Sequence, residues 1–218
     1  MGGRIIPSIL AADQERLQEA VKKVESCCKA LHIDVMDARF VPDESYSPDI
    51  VELLDTSLHK QVHLMTLEPD KKIEAYAAAG ADTIIIHAEA FKSDKNAIDT
   101  LKKIKQLGIT AGISINPDTS VENIKGILKE DCIDLVLVMT VHPGKSGQEM
   151  IIKVLDKIKG IKDINDSVDV EVDGGINRST IGKAEEAGAD LFVAGEAVFS
   201  GDDPAKAVEN LEEGLKEK

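Results

Sequence analysis

The chain has 218 residues, with 26 basic and 40 acidic side chains and a formal net charge of −14. Its sequence pI is about 4.8. This acidity argues against nucleic acid or an anionic membrane as a partner, and no apolar run is long enough to cross a bilayer. Aromatic residues make up 3% of the chain and tryptophan is absent. The core must therefore be built from Ile, Val, Leu and Ala, which suits a buried parallel sheet covered by helices.

Cysteine usage indicates the compartment. The three cysteines are Cys27, Cys28 and Cys132, an odd number that includes an adjacent pair, so a disulfide framework is not expected. None of them has metal-ligand spacing. We therefore expect a cytoplasmic protein.

Short β-branched runs alternate with amphipathic segments from one end of the chain to the other. The predicted strands are Arg4–Ile6, Leu31–Val35, Lys60–Leu64, Thr83–His87, Thr110–Ile115, Leu135–Met139, Asp169–Val172 and Leu191–Ala194. The predicted helices are Gln14–Glu25, Pro48–Leu54, Lys71–Ala79, Asn96–Leu107, Val121–Leu128, Glu149–Lys159, Arg178–Ala187 and Ala205–Lys216. No linker rich in Pro, Gly or Ser divides the series, so we expect one domain over residues 1–218.

This alternation predicts the fold class. Eight strand-then-helix units require a parallel sheet, and roughly 200 residues is near the lower limit for closing such a sheet. The tetrapeptide AGAD occurs at 79–82 and at 187–190, where Gly80 and Gly188 would end helices before the fourth and eighth strands. We predict an α/β fold, a single (β/α)8 TIM barrel. An open doubly wound sheet is the alternative, but it would normally have fewer strands and a glycine-rich first turn.

The stretch from Leu31 to Phe40 contains the first candidate site residues. Residues two apart on a strand share a face, so His32 and Asp34 point the same way. A His and an Asp on the inward face of an apolar strand are unfavourable unless something binds them. On this stretch alone, a buried His–Asp pair that only orders the core explains the pattern as well as a ligand site does.

The rest of the chain favours a site. Functional residues of such barrels gather at the C-terminal ends of the strands. The residues predicted there include Ser8, His32, Asp34, His63, Met65, His87, Met139 and Asp173. Two histidines and two aspartates, from three different strands, thus meet at one mouth. Imidazole and carboxylate ligands suit one divalent metal ion, Zn, Fe(II), Mn or Co, and do not choose among them.

The later loops suggest an anion site. Asp173-Gly174-Gly175 follows the seventh strand and Gly195-Glu196 the eighth, and these loops commonly bind phosphate in this fold. Glycines that only turn tight corners are the alternative. Gly144-Lys145-Ser146 resembles the end of a nucleotide-binding loop, but Met139 stands where that loop requires its first glycine. We therefore reject the nucleotide interpretation.

A set of motifs spread over nearly the whole chain is highly specific when taken together. The motifs are Pro7-Ser8-Ile9-Leu10, His32-Ile33-Asp34-Val35-Met36-Asp37 with Phe40-Val41-Pro42, His63-Leu64-Met65, Pro143-Gly144 with Gly147-Gln148, Glu171-Val172-Asp173-Gly174-Gly175, and Ala194-Gly195. By these motifs the chain resembles the ribulose-phosphate 3-epimerases, one family of ribulose-phosphate-binding barrels.

The resemblance implies a metal-dependent 3-epimerase that interconverts D-ribulose 5-phosphate and D-xylulose 5-phosphate, and a homo-oligomer. It implies that four residues bind the metal: His32, Asp34, His63 and Asp173. Asp34 and Asp173 would also act as the acid and base. The expected substrate-binding residues are Ser8, Met36, His63, Met65, Met139, Gly144, Gly147, Gly174, Gly175, Gly195 and Glu196. For the three methionines, an ordinary core role is the alternative.

The chemistry accounts for two carboxylates. Inverting C3 of a ketose requires one group that removes the proton from one face and another that returns a proton to the opposite face, through an enediolate. A metal beside the substrate oxygens would stabilise the negative charge as a Lewis acid.

The chain departs from the family pattern mainly around the far end of the substrate. It has Ala38-Arg39 where relatives usually carry Gly-His, His142 where Asn is common, Lys145-Ser146 where Phe-Gly is usual, and Glu196 where a phosphate-binding Ser is expected. A Glu196 carboxylate near a phosphate would be repulsive. We expect its side chain either to turn away from the phosphate or to pair with a cation, for which Lys145 is the nearest candidate, and we expect Lys145 to help close its loop over the phosphate.

Two other functions stay open on the sequence. One is a 3-epimerase of another ketose or ketose phosphate, such as D-allulose 6-phosphate. The other is a non-catalytic barrel that binds a sugar phosphate, against which the complete set of two His and two Asp argues.

Overall fold

The structure is a computed structural model that describes residues 3–216. The strands are β1 (Ile5–Pro7), β2 (Ala30–Met36), β3 (His59–Met65), β4 (Thr83–His87), β5 (Thr110–Ile115), β6 (Leu135–Met139), β7 (Asp169–Asp173) and β8 (Leu191–Ala194). The α-helices are α1 (Leu17–Val24), α2 (Pro48–Leu53), α3 (Ile73–Ala78), α4 (Asp94–Gln106), α5 (Lys125–Leu128), α6 (Asp156–Ile164), α7 (Ile181–Glu186), α8 (Glu196–Phe199) and α9 (Pro204–Gly214). Short 3-10 helices span Ile9–Ala11, Gln14–Arg16, Pro69–Lys71, Ala88–Ala90, Val121–Ile124 and Ile152–Leu155.

The eight strands form one parallel sheet in the order β1-β8-β7-β6-β5-β4-β3-β2. Its two edge strands, β1 and β2, meet at a parallel bridge between Ser8 and His32. The sheet is therefore a nearly closed barrel that alternates with helices, which confirms the predicted (β/α)8 fold. The ends of the predicted domain, residues 1–2 and 217–218, lie outside the described residues.

Strand alternation separates two kinds of interior. On β2, Ile33 and Val35 belong to the large apolar cluster that fills the space between sheet and helices, while His32 and Asp34 are buried on the other face. A smaller cluster packs inside the barrel and contains Ile85, Leu135, Leu137, Met139 and Val141. The barrel interior is thus apolar in one part and polar under the ends of β2, β3 and β7.

The element boundaries mostly follow the predictions. Gly80 and Gly188 have φ of 90° and 102°, the left-handed conformation expected after helices that end before β4 and β8. The predicted helix Glu149–Lys159 is wrong at both ends, because the helical segment starts at Ile152 and α6 ends at Ile164. The amide of Ile151 donates to the carbonyl of Thr140 at 2.8 Å, which holds the preceding residues in the loop after β6.

Two further expectations concern compartment and membrane. Cys27, Cys28 and Cys132 are free thiols. In the described part of the chain, no helix has the length and apolar character needed to span a membrane.

Candidate metal and substrate site

The ends of three strands bring four predicted ligands together. His32 and Asp34 lie on β2, His63 on β3 and Asp173 at the end of β7. His32, Asp34 and His63 are buried, and the Asp173 side chain is 17% exposed. The register of the sheet pairs Asp34 with His63 directly, so neighbouring strands place the two side chains at the same height.

The ligand atoms converge closely. The Nε2 atom of His32 lies 3.3 Å from Oδ1 of Asp34, 3.3 Å from Nδ1 of His63 and 3.9 Å from Oδ2 of Asp173. One nitrogen or oxygen from each of the four residues lies within 4.8 Å of all the others. Two imidazoles and two carboxylates form a donor set that a divalent transition metal prefers, so these residues fit the metal expected from the sequence.

Burial and neighbouring charges shift the pKa values of the clustered side chains. Burial raises the pKa of Asp173 to about 7, and the neighbouring charge of Asp34 adds to that rise. Burial alone would raise the pKa of Asp34, but its interactions with His32 and His63 hold it well below the usual range. Burial lowers the pKa of His63 to about 3; its interaction with the Asp34 carboxylate acts in the opposite direction, and the neighbouring His87 and His32 add to the fall. The raised pKa of Asp173, caused by burial beside a second carboxylate, is the shift that a bound cation would relieve.

The His32 ring is also held from the side away from the cluster. Its Nδ1 lies 2.6 Å from Oε1 of Gln61, and Nε2 of Gln61 donates to Oε2 of Glu171 at 2.8 Å. Oε1 of Glu171 has no hydrogen-bond partner and lies 3.5 Å from Nδ1 of His32. Gln61 and Glu171 are buried.

The His63 ring has a comparable support. Its Nε2 lies 2.8 Å from Nε2 of His87, and Nδ1 of His87 lies 3.0 Å from Oε2 of Glu89. Glu89 also accepts hydrogen bonds from the amide of Asn116 and the hydroxyl of Thr119. Burial would raise the pKa of Glu89, but the interactions with His87, Thr119 and Asn116 lower it to about 2.

The sequence predictions missed the roles of Gln61, Glu171 and Glu89, although a signal for the first two was present. Gln61 precedes His63 by two residues and Glu171 precedes Asp173 by two, so each shares the inward face with a predicted ligand. A polar residue at such a position in an apolar strand requires a buried partner. Glu89 follows β4 in a 3-10 helix, where strand alternation no longer predicts its direction.

Above the cluster lies a cavity of about 380 Å³. Its lining includes nine of the predicted substrate-binding residues: Ser8, Met65, Met139, Gly144, Gly147, Gly174, Gly175, Gly195 and Glu196. The Ser8 hydroxyl donates to Oδ2 of Asp34 at 2.6 Å, which fixes that carboxylate across the junction of β1 and β2. Met36 and His63 are not in the lining, and Met36 packs with Val41 and Met65.

The loops after β6, β7 and β8 interlock around the far end of this cavity. Gly174 and Gly175 have φ of 122° and 65°, and a Cβ atom on Gly175 would overlap the backbone of Met150. The conformation and the packing each require glycine here, independently of any bound anion.

The Glu196 side chain is exposed and lies against Gly147, where a Cβ atom would overlap its carboxylate. Within residues 3–216, no ion pair joins Glu196 to Lys145. Of the two arrangements expected from the sequence, pairing with Lys145 is thus not observed. The carboxylate instead faces the loop after β6.

The fold and the cluster at its mouth define a (β/α)8-barrel protein with a buried site suited to a divalent metal. A model of the ribulose-phosphate 3 epimerase family matches residues 4–199, and the chain belongs to this family. It is 44% identical over 216 residues to a ribulose-phosphate 3-epimerase of Bacillus subtilis, covering 95% of this chain and 97% of that protein. It is 40% identical to the chloroplastic ribulose-5-phosphate-3-epimerase of Arabidopsis thaliana, covering 95% and 75%.

Solved structures with low sequence identity share the fold. A 3-hexulose-6-phosphate synthase has a TM-score of 0.71 at 17% identity, covering 98% of this chain and 99% of that one. An orotidine 5'-phosphate decarboxylase from Pyrococcus horikoshii OT3 also has a TM-score of 0.71, at 16% identity, covering 98% and 100%.

Proposed function

We propose that the chain interconverts D-ribulose 5-phosphate and D-xylulose 5-phosphate by moving a proton at C3. The observation that carries this proposal is the meeting of Asp34 and Asp173 in one buried cluster under an open cavity, in a chain that belongs to the 3-epimerase family. Two carboxylates from different strands can address the two faces of a bound sugar, which is what inversion at one carbon requires.

The proposed roles follow from the contacts of each residue. Asp34 is oriented by the Ser8 hydroxyl at 2.6 Å, so its other oxygen, Oδ1, is directed at the cluster. Asp173 reaches the same cluster from β7. One of the two groups takes the C3 proton as a carboxylate, and the other, present as the carboxylic acid, delivers its proton to the opposite face. Burial of the cluster excludes water, so an unprotonated enediolate is protected from solvent on its way to product.

The same cluster is proposed to hold one divalent ion through His32, Asp34, His63 and Asp173. When bound, such an ion supplies positive charge that stabilises the enediolate. Zn, Fe(II), Mn and Co all fit this donor set.

The sugar phosphate is proposed to extend from the cluster towards Gly174, Gly175 and Gly195, whose loops line the far end of the cavity. Met65 and Met139 line its wall as apolar surface without exchangeable protons. We further propose a cytoplasmic homo-oligomer. The free thiols support a reducing compartment, and the side chain of Leu53, 74% exposed on α2, supports contact with another copy.

The direct test is an assay of the purified protein on both pentulose phosphates in deuterated water. We expect interconversion, with solvent deuterium incorporated at C3, and loss of the activity on chelation and its return on adding a divalent metal. Asp34→Asn and Asp173→Asn should each lower kcat by at least about a thousandfold, because either change removes one of two obligatory proton-transfer groups.

The matched control is Asp118→Asn. Asp118 is an exposed carboxylate near His142, and the variant should keep the activity of the parent. Product without solvent-derived label would contradict proton exchange through the two carboxyl groups. Full activity in metal-free protein would contradict the metal role. Turnover of another ketose phosphate alone would identify a different 3-epimerase, and no turnover of any ketose would favour a binding protein.

A further inference from the structure

Beneath the candidate metal cluster, two hydrogen-bond chains lead away from the two imidazoles, and each ends on a carboxylate. The first, here the Glu89 chain, joins Glu89, His87 and His63. The second, the Glu171 chain, joins Glu171, Gln61 and His32. None of Glu89, His87, Gln61 and Glu171 belongs to the cluster of possible metal ligands in the described residues.

We infer that the two chains set the position of the hydrogen on each imidazole, so that both rings present a bare nitrogen to the metal. His87, Glu89, Gln61 and Glu171 are therefore positioning residues. The inference rests on the proposed metal site and assigns functions to residues outside it.

The Glu89 chain can be followed proton by proton. Glu89 accepts from the Asn116 amide and the Thr119 hydroxyl, so it meets His87 as an acceptor too, and Nδ1 of His87 carries the hydrogen. A neutral His87 then has a lone pair on Nε2. The Nε2 atom of His63 lies 2.8 Å away and must supply the hydrogen between the two nitrogens. Nδ1 of His63, 3.2 Å from Asp34, is left bare and faces the cluster.

In the Glu171 chain, the side-chain amide of Gln61 fixes the hydrogen position on His32 in a comparable way. An acceptor at Glu171 turns the NH2 group of Gln61 towards itself, at 2.8 Å, and so turns the Gln61 oxygen towards His32. Nδ1 of His32 then has two acceptors beside it, Gln61 at 2.6 Å and the unpartnered oxygen of Glu171 at 3.5 Å. The hydrogen belongs on Nδ1, and Nε2 is bare towards the cluster.

Packing keeps these assignments fixed. The rings of His63 and His87 stack with centroids 4.9 Å apart, and Phe40 covers His87 with a centroid distance of 4.8 Å. His32, His63 and His87 have no exposed surface. A buried imidazole that reversed its tautomer would leave a donor facing a donor in these chains, which is unfavourable where water cannot intervene.

The test is a competition titration of the full-length, metal-free protein with Zn²⁺ against a chelator, since metal affinity is measured without turnover. Glu89→Gln and Glu171→Gln keep the shape but allow either direction of hydrogen bonding. We expect each to weaken Zn²⁺ binding by about 10- to 100-fold, the range seen when partners of metal-ligating histidines are altered.

The matched control is Glu25→Gln. Glu25, like Glu89, accepts from a threonine hydroxyl and a backbone amide, those of Thr56 and Ser57, but it lies outside both chains. We expect this variant to bind Zn²⁺ as the parent does. The thermal unfolding midpoints of the metal-free variants show whether each variant is folded, so that a loss of Zn²⁺ affinity through unfolding is distinguished from a loss through wrong ring positioning. Parent-like Zn²⁺ affinity in folded Glu89→Gln and Glu171→Gln would overturn the inference while leaving the proposed metal site intact.

A second measurement needs no variant. In the Zn²⁺-loaded parent, ¹⁵N spectra of the histidine rings should place the His87 hydrogen on Nδ1, and a hydrogen on Nε2 of His87 would overturn the Glu89 chain. Failure of the parent to bind Zn²⁺ would overturn the proposed metal site together with this inference. The proposed epimerase activity is tested independently, by the assay described above.

Discussion

Single residues decide what the cavity can hold. Among the residues that line it, Lys145 carries a positive charge, and Asp34, Glu149, Asp173 and Glu196 carry carboxylates. A phosphate at the far end must therefore rely on backbone amides and one lysine, with Glu196 nearby as an opposing charge. Glu196 is the departure from the family pattern with the most direct chemical consequence.

Replacing this carboxylate tests the substrate class. We expect Glu196→Ser to raise kcat/KM for ribulose 5-phosphate by roughly tenfold through a lower KM, because an exposed like charge near the phosphate is removed without touching the reacting carbon. The measurement is steady-state kinetics with ribulose 5-phosphate and with free ribulose. For free ribulose, kcat/KM of the variant should equal that of the parent.

Glu149→Ser is a useful comparison, because Glu149 is also an exposed acid of the cavity lining. The parent should strongly prefer the phosphorylated sugar. A parent that prefers free ribulose, with the preference reversed in Glu196→Ser, would show that the natural substrate carries no phosphate.

At the scale of strands and loops, the sequence predicted much of what the structure contains. Alternation on β2 identified His32 and Asp34 as inward residues, because a period of two is independent of tertiary detail. The start of the helical segment before α6 was not predictable, since the Ile151 amide is held in the loop by the Thr140 carbonyl, a contact with a residue that lies outside the predicted helix. The four-residue α8 is too short to leave a periodic pattern. The direction of the Glu196 side chain depends on Gly147 in another loop.

The contact between the loops after β6 and β7 gives an element-scale prediction. Gly175→Ala should lower the free energy of unfolding and raise KM, because its φ of 65° disfavours a side chain and the new Cβ would displace Met150. Gly108→Ala is the matched control, since Gly108 has φ of 78° but no atom within 4 Å of a new Cβ.

We expect about 1–2 kcal/mol of destabilisation for Gly108→Ala from backbone strain alone, and a larger loss for Gly175→Ala. Denaturant titration of the two variants measures the difference. Equal losses, with KM unchanged in Gly175→Ala, would mean that the loops do not depend on each other.

For the whole molecule, net charge and substrate charge have the same sign. The formal charge of the chain is −14, and a ribulose phosphate is also an anion. Ion pairs on the surface, such as Lys105 with Asp134 and Lys162 with Asp190, contribute no net charge, so the excess of carboxylates is not reduced by them. The field far from the cavity therefore repels the proposed substrate, and capture depends on groups within the cavity.

Salt should then speed capture. At an ionic strength of about 0.01 M the repulsive field extends roughly 30 Å from the surface, and at about 0.1 M it is screened within about 10 Å. We expect kcat/KM for ribulose 5-phosphate to rise roughly two- to fivefold over that range, with kcat at saturating substrate unchanged, because encounter and not chemistry is affected. The measurement is initial rates in a non-chelating buffer with added NaCl.

Lys145→Met, which removes the positive charge from the cavity lining, should make the rise in kcat/KM with salt steeper. A fall in kcat/KM with salt in the parent would contradict this prediction and would show that the local positive charge of the cavity, at Lys145 and the proposed metal, outweighs the charge of the whole chain.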